Sequence, residues 1–422
     1  MLTRPSSDVD EGTGVVGVLS FMICLYLLAA LAVDPLSGLF ILLLGTMLPM
    51  IVWSIVVVKT HLRPDAGLDF NRTLSNAEAW PISLTKLLGL YTIFAAIGLC
   101  YFVLEHYRAR QYGLYLASMS MAAPLLVFLA PFYVHVVTRR MMEPRDGLWH
   151  VGMVLRGKRA EADIAKVKDH ILAWTIKGFF LAFMMSILPF VTTDVLEELR
   201  APGVLMSVGT TLLLVQVLFL IDACIGTIGY ICTFRVLNTH IRSANPYLDA
   251  WIFALICYPP FIIMRDGGPL NYHTGTRDWS DWLSGHPVLL SIWGIMILIL
   301  CAVYAWSTAV FGLRFSNLTH RGIITTGPYR FFKHPAYLSK NIFWWMSVMP
   351  FLSTMGPKRA IQNCILLLAV NVVYLMRART EERHLMQDPA YQRYAQWIAE
   401  AGFLPRLWNF FWRSAKPTQH KD

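Results

Sequence analysis

The sequence contains few charged residues for its length. Only 15% of its 422 residues are Asp, Glu, Lys or Arg, whereas soluble domains contain roughly 25%. Hydrophobic residues account for 56%, against roughly 45–50% in soluble domains. A chain of this composition cannot cover a globular surface with polar groups, and it is too rich in aliphatic and aromatic residues to be disordered. The composition predicts an all-α, polytopic integral membrane protein.

Several common functional motifs are missing. The sequence has no P-loop pattern, and its one Gly-x-Gly-x-x-Gly match, Gly12–Gly17, opens the first apolar stretch rather than following a predicted strand; the most common nucleotide-binding loops are therefore not predicted. Its 12 histidines show no His-x-x-His or His-Glu-x-x-His spacing, so no metal site is predicted. The seven cysteines all fall within apolar stretches, which indicates small buried residues rather than disulfides or metal ligands.

The net charge is positive, at +10. In a soluble protein such a charge would suggest nucleic-acid binding. In a membrane protein it is better explained by cytoplasmic loops, which collect Lys and Arg. The predicted partners are therefore membrane lipids, and no nucleic acid is expected.

The hydropathy pattern predicts about ten transmembrane helices, because a helix needs about 20 mainly apolar residues to cross the bilayer. The predicted spans are Gly14–Val33, Leu36–Val58, Leu84–Leu104, Leu114–Val137, Ile171–Val191, Gly203–Cys232, Asp249–Met264, Pro287–Leu313, Asn341–Met355 and Ala360–Met376. The last two are short and are joined by Gly356-Pro357, which predicts a C-terminal helical hairpin.

The loop charges predict the orientation of these spans. The loops Arg139–His170 and Arg314–Lys340 are strongly basic, whereas Thr192–Leu199 contains three acids and no Lys or Arg. With ten spans, both basic loops fall on one side and the acidic loop on the other. Because basic loops stay inside, both termini are expected in the cytoplasm, at the inner membrane if the protein is bacterial. The slightly acidic N-terminal segment is the exception.

The loop after the eighth span is the most unusual part of the chain. Within 17 residues it holds five side chains suited to binding, namely Arg321, Arg330, Lys333, His334 and Tyr337. Gly327-Pro328 predicts a turn, and Pro335 is expected to begin the next helix, where its missing N–H does no harm. Free N–H groups at such a helix start suit an anionic group. The alternative is an ordinary basic loop.

A second polar feature follows the last span, where the helix is expected to continue past the membrane. It carries the adjacent acids Glu381 and Glu382. One of these carboxylates could accept hydrogen bonds from a ribose or face a cationic ligand. The alternative is a solvated helix end with weak pairs between charges one turn apart.

These residues resemble the isoprenylcysteine carboxyl methyltransferase family, which is related to the phospholipid N-methyltransferases. The resemblance consists of Gly327-Pro-Tyr-Arg-x-x-Lys-His-Pro-x-Tyr337, two spans, Glu381-Glu382 and Pro389-Ala-Tyr-Gln-Arg-Tyr394. It covers about residues 287–405 and implies a membrane methyltransferase that uses S-adenosylmethionine. The long basic loop that ends near His170 and the start of the resemblance predict three regions: an N-terminal transmembrane region with its cytoplasmic loop (1–170), a middle transmembrane region (171–286) and a catalytic region (287–422).

The resemblance also implies roles for individual residues. The residues implied to bind the cofactor are Gly327, Pro328, Tyr329, His334, Tyr337, Glu381 and Glu382. Lys333 and Arg330 are implied to be catalytic, with Lys333 facing the carboxylate of the acceptor. The family usually has Arg at the position of Lys333; Lys keeps the charge but loses the bidentate fork.

Several functions remain open from the sequence. The leading reading is methyl transfer to the carboxylate of a lipidic or prenylated acceptor, and transfer to a phospholipid amine is the nearest variant. A transporter or channel that uses Asp222 within the sixth span is an alternative from another class, and an interaction protein without activity is a third. A transporter needs neither His334 nor the Glu381-Glu382 pair, so these residues distinguish the readings.

Overall fold

A computed structural model of the chain describes residues 3–201, 208–403 and 405. Residues 203–207 of the predicted sixth span and residues 404 and 406–422 of the predicted catalytic region lie outside this part. The described residues form two units: an N-terminal unit within residues 12–262 and 312–321, and a C-terminal unit within residues 3–11, 263–311 and 322–405. The three-region division made from the sequence stays a prediction.

The N-terminal unit is mainly helical. Its helices are α1 (Glu11–Ala30), α2 (Pro35–Val52), α3 (Asn76–Val103), α4 (Gly113–Arg140), α5 (Gly147–Leu155), α6 (Ile164–Arg200), α7 (Val208–Ile231) and α8 (Leu248–Leu255). Two short antiparallel strands, β1 (Ser243–Ala244) and β2 (Thr319–His320), pair Ser243 with His320.

The C-terminal unit holds the remaining helices. These are α9 (Trp279–Trp282), α10 (Pro287–Ala309), α11 (Pro335–Val348), α12 (Pro357–Leu385) and α13 (Pro389–Ala401). Four of the five begin with proline, whose fixed φ suits the first turn of a helix. Asp388 also caps α13, because its side chain accepts a 2.7 Å hydrogen bond from the Ala390 N–H.

Local sequence signals explain where helices of the N-terminal unit begin. At the start of α3, the Glu78 N–H donates to the Ser75 hydroxyl at 3.3 Å and the Ser75 N–H donates to the Glu78 carboxylate at 3.0 Å. This reciprocal pair is a capping box. The side chain of Asp163 accepts a hydrogen bond from the Ala165 N–H at 2.9 Å and so caps α6. Both caps satisfy N–H groups that the helix itself leaves without partners.

Within the described residues, eight helices are long and apolar enough to cross a membrane: α1, α2 with the π-helical turn that follows it, α3, α4, α6, α7, α10 and α12. Their exposed surfaces are rich in large apolar side chains, such as Phe128 and Phe132 on α4. The predicted class, an all-α polytopic membrane protein, is confirmed.

Two of the ten predicted spans are wrong as full-length spans. The segment Asp249–Met264 is helical only up to Leu255, because Pro259 and Pro260 follow and the residue before a proline avoids helical geometry. The segment Asn341–Met355 belongs to α11, which begins at Pro335 as predicted and ends at Val348. Met349 adopts left-handed geometry before Pro350, so the predicted hairpin has one short arm of 14 residues and one long arm, α12.

Arg321 is a structural residue of the N-terminal unit. Its side chain is buried, and its guanidinium donates to the carbonyl oxygens of Leu313, Phe315, Gly229, Cys232 and Thr239. The distance to the Gly229 oxygen is 2.8 Å. Gly229 and Cys232 lie at the end of α7, where helical carbonyls lack partners. Arg321 therefore joins β2 and the loops beside it to the end of α7.

Replacing Arg321 with methionine should strongly destabilise the N-terminal unit. Each buried carbonyl left without a donor costs about 1–3 kcal/mol, so the free energy of unfolding should fall by more than about 3 kcal/mol. Lysine at this position should rescue only part of the loss, because one ammonium cannot reach all five oxygens. Thermal unfolding in detergent tests this, with the exposed Arg159 changed to methionine as a control. Equal melting temperatures for the Arg321 and Arg159 variants would contradict the assignment.

Candidate active site

A tight turn opens the candidate site in the C-terminal unit. Residues Gly327–Arg330 form a 3₁₀ turn that begins at a φ of +55°. A Cβ atom on Gly327 would lie 2.6 Å from a methyl carbon of Val310 and 3.1 Å from the indole nitrogen of Trp306. Both the dihedral angle and the close approach to α10 therefore require glycine. The turn sets the direction in which the chain continues to α11.

The start of α11 brings Lys333 and His334 to the end of α12. The Glu382 carboxylate lies between them: its Oε2 is 3.0 Å from the Lys333 Nζ, and its Oε1 is 2.9 Å from the His334 Nε2. The side chains of Lys333 and Glu382 are 33% and 30% exposed, so water reaches this part of the site. One carboxylate thus holds two neighbouring residues of the predicted motif.

The second acid of the pair contacts the next turn of α11. The Tyr337 hydroxyl donates a hydrogen bond of 3.1 Å to the Glu381 carboxylate. The His334 Nδ1 is 3.9 Å from the same oxygen, Oε2. The rings of His334 and Tyr337 are stacked, with centroids 5.6 Å apart and planes 2° from parallel. Together Lys333, His334, Tyr337, Glu381 and Glu382 form what we call the acid–base cluster.

Helix α13 contacts the turn that precedes the cluster and lies near its two acids. The Tyr394 hydroxyl donates to the carbonyl oxygen of Tyr329 at 2.8 Å and so fixes the turn described above. Burial, followed by the negative charges of Glu382 and Glu381, raises the pKa of Tyr391 above its usual value. Both tyrosines therefore remain neutral, since burial similarly raises the pKa of Tyr394.

Two cations beside the cluster were not among the site residues predicted from the sequence. The buried guanidinium of Arg377 lies 5.1 Å from the ring centroids of both Tyr337 and Tyr374. The Lys340 ammonium lies 5.4 Å from the ring centroids of Tyr304 and Trp344. These are cation–π distances. The sequence contained one indication for Arg377: it lies one helical turn before Glu381 on α12, so the two side chains share a face of that helix.

The predicted residues are not all brought together. The acid–base cluster contains five of them, and Gly327, Pro328 and Tyr329 form the turn that precedes it. Arg330 is exposed, and among the described residues no hydrogen bond or ion pair joins it to the cluster. Its predicted catalytic role, like the other residue roles, stays a prediction. Within the same part of the chain, no group of three or more His, Cys, Asp or Glu side chains could hold a metal ion.

Comparison with known proteins supports the resemblance seen in the sequence. Residues 285–387 match the sequence model of the isoprenylcysteine carboxyl methyltransferase (ICMT) family. The match includes α10, α11, α12 and the whole acid–base cluster, and it covers about a quarter of the chain. Comparisons with curated proteins and with solved structures found no match. The family match supports a membrane methyltransferase and locates the matching region in the C-terminal part of the chain.

Proposed function

We propose that this protein is an S-adenosylmethionine-dependent methyltransferase that methylates a carboxylate on a lipidic, prenylcysteine-like acceptor. The observation that carries the proposal is the acid–base cluster, in which one carboxylate contacts Lys333 and His334 and its neighbour contacts Tyr337. This cluster lies within the segment that matches the ICMT family. Five side chains, from α11, the two residues before it and the end of α12, converge there.

The side chains present suit S-adenosylmethionine, which carries cationic groups, a carboxylate and ribose hydroxyls. Glu381 and Glu382 can accept hydrogen bonds from hydroxyl or ammonium groups. The rings of Tyr337 and Tyr374 already contact the Arg377 guanidinium, so the two carboxylates are the groups proposed to face the cationic parts of the cofactor. When bound, this cofactor supplies the methyl group on a positively charged sulfur. The turn Gly327–Tyr329 is proposed to border the same site.

The chain's own contribution to the reaction is mainly alignment. A carboxylate acceptor is already deprotonated, so it would take the methyl group that the cofactor supplies without help from a base. Lys333 is proposed to hold the acceptor carboxylate, while Glu382 keeps the Lys333 ammonium in place. Holding two reactants in line can supply much of the rate enhancement by itself.

The charges near the cluster favour a carboxylate acceptor over a phospholipid amine. Lys333, Lys340 and Arg377 all carry positive charge, and Arg377 is buried. A protonated amine would be repelled by these groups, whereas a carboxylate would be attracted. The two acids are then available to bind the cationic cofactor.

Binding of S-adenosylmethionine is the first requirement of the proposed function. Calorimetric titration of the purified protein with S-adenosylmethionine tests it, and absence of binding would contradict the proposal.

We also propose that the basic loops of the N-terminal unit face the cytoplasm. The pairing of β1 with β2, the bridge between Leu68 and Met141, and the 2.7 Å hydrogen bond from the Ala244 N–H to Asp169 all connect loops predicted on that side. A cysteine at Arg159, before α6, should be labelled from the cytoplasm, and one at Asp194, near the other end of α6, from the opposite side. Labelling of both from one side would contradict this orientation. The exposed Cys100 should be removed first.

A further inference from the structure

The first described residues of the chain belong to the C-terminal unit. Residues 3–11 are part of it, and the chain enters the N-terminal unit at residue 12. This segment runs along residues 322–326, which lead directly into the turn at Gly327. The Asp8 N–H donates to the Ile323 carbonyl at 2.9 Å, and the Ile323 N–H donates to the Asp8 carboxylate at 2.7 Å. The Thr325 hydroxyl donates to the Pro5 carbonyl at 2.8 Å.

Apolar packing reinforces these hydrogen bonds. Val9 is buried against Val310 and Ile324, and Tyr329 packs against the same group. Tyr329 also packs against a second cluster that contains Ile323 and residues of α13. The turn that precedes the acid–base cluster is therefore held on one side by the N-terminal segment and on the other by α13.

We infer that residues 5–9 are a positioning element of the methyltransferase site. They fix the path of residues 322–326 and thereby the turn Gly327–Arg330, and that turn sets the start of α11, where Lys333 and His334 meet Glu382. The segment matched by the ICMT family, residues 285–387, does not include them. A competent site therefore requires a segment from near the beginning of the chain. This inference rests on the proposed function.

Asp8 is the residue that tests the inference most sharply. Its carboxylate accepts from the N–H of Ile323, a residue that is 4% exposed. Changing Asp8 to alanine leaves that donor without this acceptor, so the dissociation constant for S-adenosylmethionine should rise about tenfold. Asparagine keeps an oxygen acceptor and should restore affinity to within about threefold. The exposed Arg4 lies on the same segment, and its change to alanine should have no effect.

Hydrogen exchange provides a readout that does not depend on the cofactor. In the full-length Asp8→Ala protein, the backbone amides of residues 322–334 should exchange faster than in the wild type, while those of residues 65–70 in the N-terminal unit should not change. Unchanged exchange in residues 322–334, or equal defects in the alanine and asparagine variants, would overturn the inference. If exchange rises but the wild-type protein binds no S-adenosylmethionine, the positioning role stands and the proposed function fails.

Discussion

Replacing Glu382 with alanine should remove most methyltransferase activity. Its carboxylate is the common partner of Lys333 and His334, at 3.0 and 2.9 Å, so its loss releases both residues at once. Misplacement of such groups by about 1 Å can cost about a hundredfold in turnover, and we expect a loss of this size. Affinity for S-adenosylmethionine should fall as well, because a carboxylate proposed to bind it is removed.

The fold should tolerate this change. The Glu382 side chain is 30% exposed and lies near the end of α12 rather than among its packed apolar residues. The matched control is Arg379→Ala, an exposed position on the same helix. Cofactor affinity from calorimetry and turnover from methyl incorporation should both stay normal in that control. Normal values for both in Glu382→Ala would show that the cluster is not the site.

Replacing Lys333 with methionine should also lower turnover strongly. The cause should be weaker binding of the acceptor rather than of the cofactor. Loss of its ammonium removes the positive charge proposed to hold the acceptor carboxylate, and turnover should fall about a hundredfold. His334 still holds Glu382, so affinity for S-adenosylmethionine should change by less than about threefold. Arginine at this position should keep or raise activity, because it can bind both oxygens of a carboxylate.

The Lys333 variants also distinguish a carboxylate acceptor from an amine acceptor. Turnover should be measured with a prenylcysteine analogue and with phosphatidylethanolamine, using the exposed Lys358→Met as a control for charge removal elsewhere in the unit. For an amine acceptor the expectation reverses, since removing a nearby cation relieves repulsion of a protonated substrate. Full activity of Lys333→Met on the prenylcysteine analogue would rule out the role proposed for this residue.

The acid–base cluster could be anticipated from the sequence because its members lie in short local motifs. Lys333, His334 and Tyr337 occupy the first turn of a helix and the residues just before it, and Glu381 and Glu382 follow the last predicted span. Helix geometry then gives each motif one orientation. The contact between the two motifs was implied by the family resemblance, and the distances between them required the structure.

Arg377 and Lys340 show where the sequence was less informative. Both are charged residues within or beside apolar stretches, and a sequence alone does not tell whether such a side chain reaches toward water or stays inside. The answer depends on aromatic rings from other helices, such as Tyr304 on α10 beside Lys340. Those neighbours are fixed only by tertiary packing.

Two spans were predicted longer than they are, and the contact made by the N-terminal segment was not predicted at all. Hydropathy measures apolar length, whereas Pro259-Pro260 and Met349-Pro350 decide where the helices α8 and α11 end. The partner of Asp8, the N–H of Ile323, is 315 residues away in the chain. A contact over that separation leaves no local pattern in a single sequence, so the role of the N-terminal segment is visible only in the folded chain.

Transfer of a labelled methyl group tests the central proposal most directly. The purified protein in lipid vesicles should move a tritiated methyl group from S-adenosylmethionine to a prenylcysteine analogue, and Glu382→Ala protein should not. Because the product is expected to be a carboxyl methyl ester, mild alkali should release the label as methanol. A labelled product that resists alkali would indicate an N-methylated amine instead. No transfer to either acceptor by protein that is correctly folded would contradict the account.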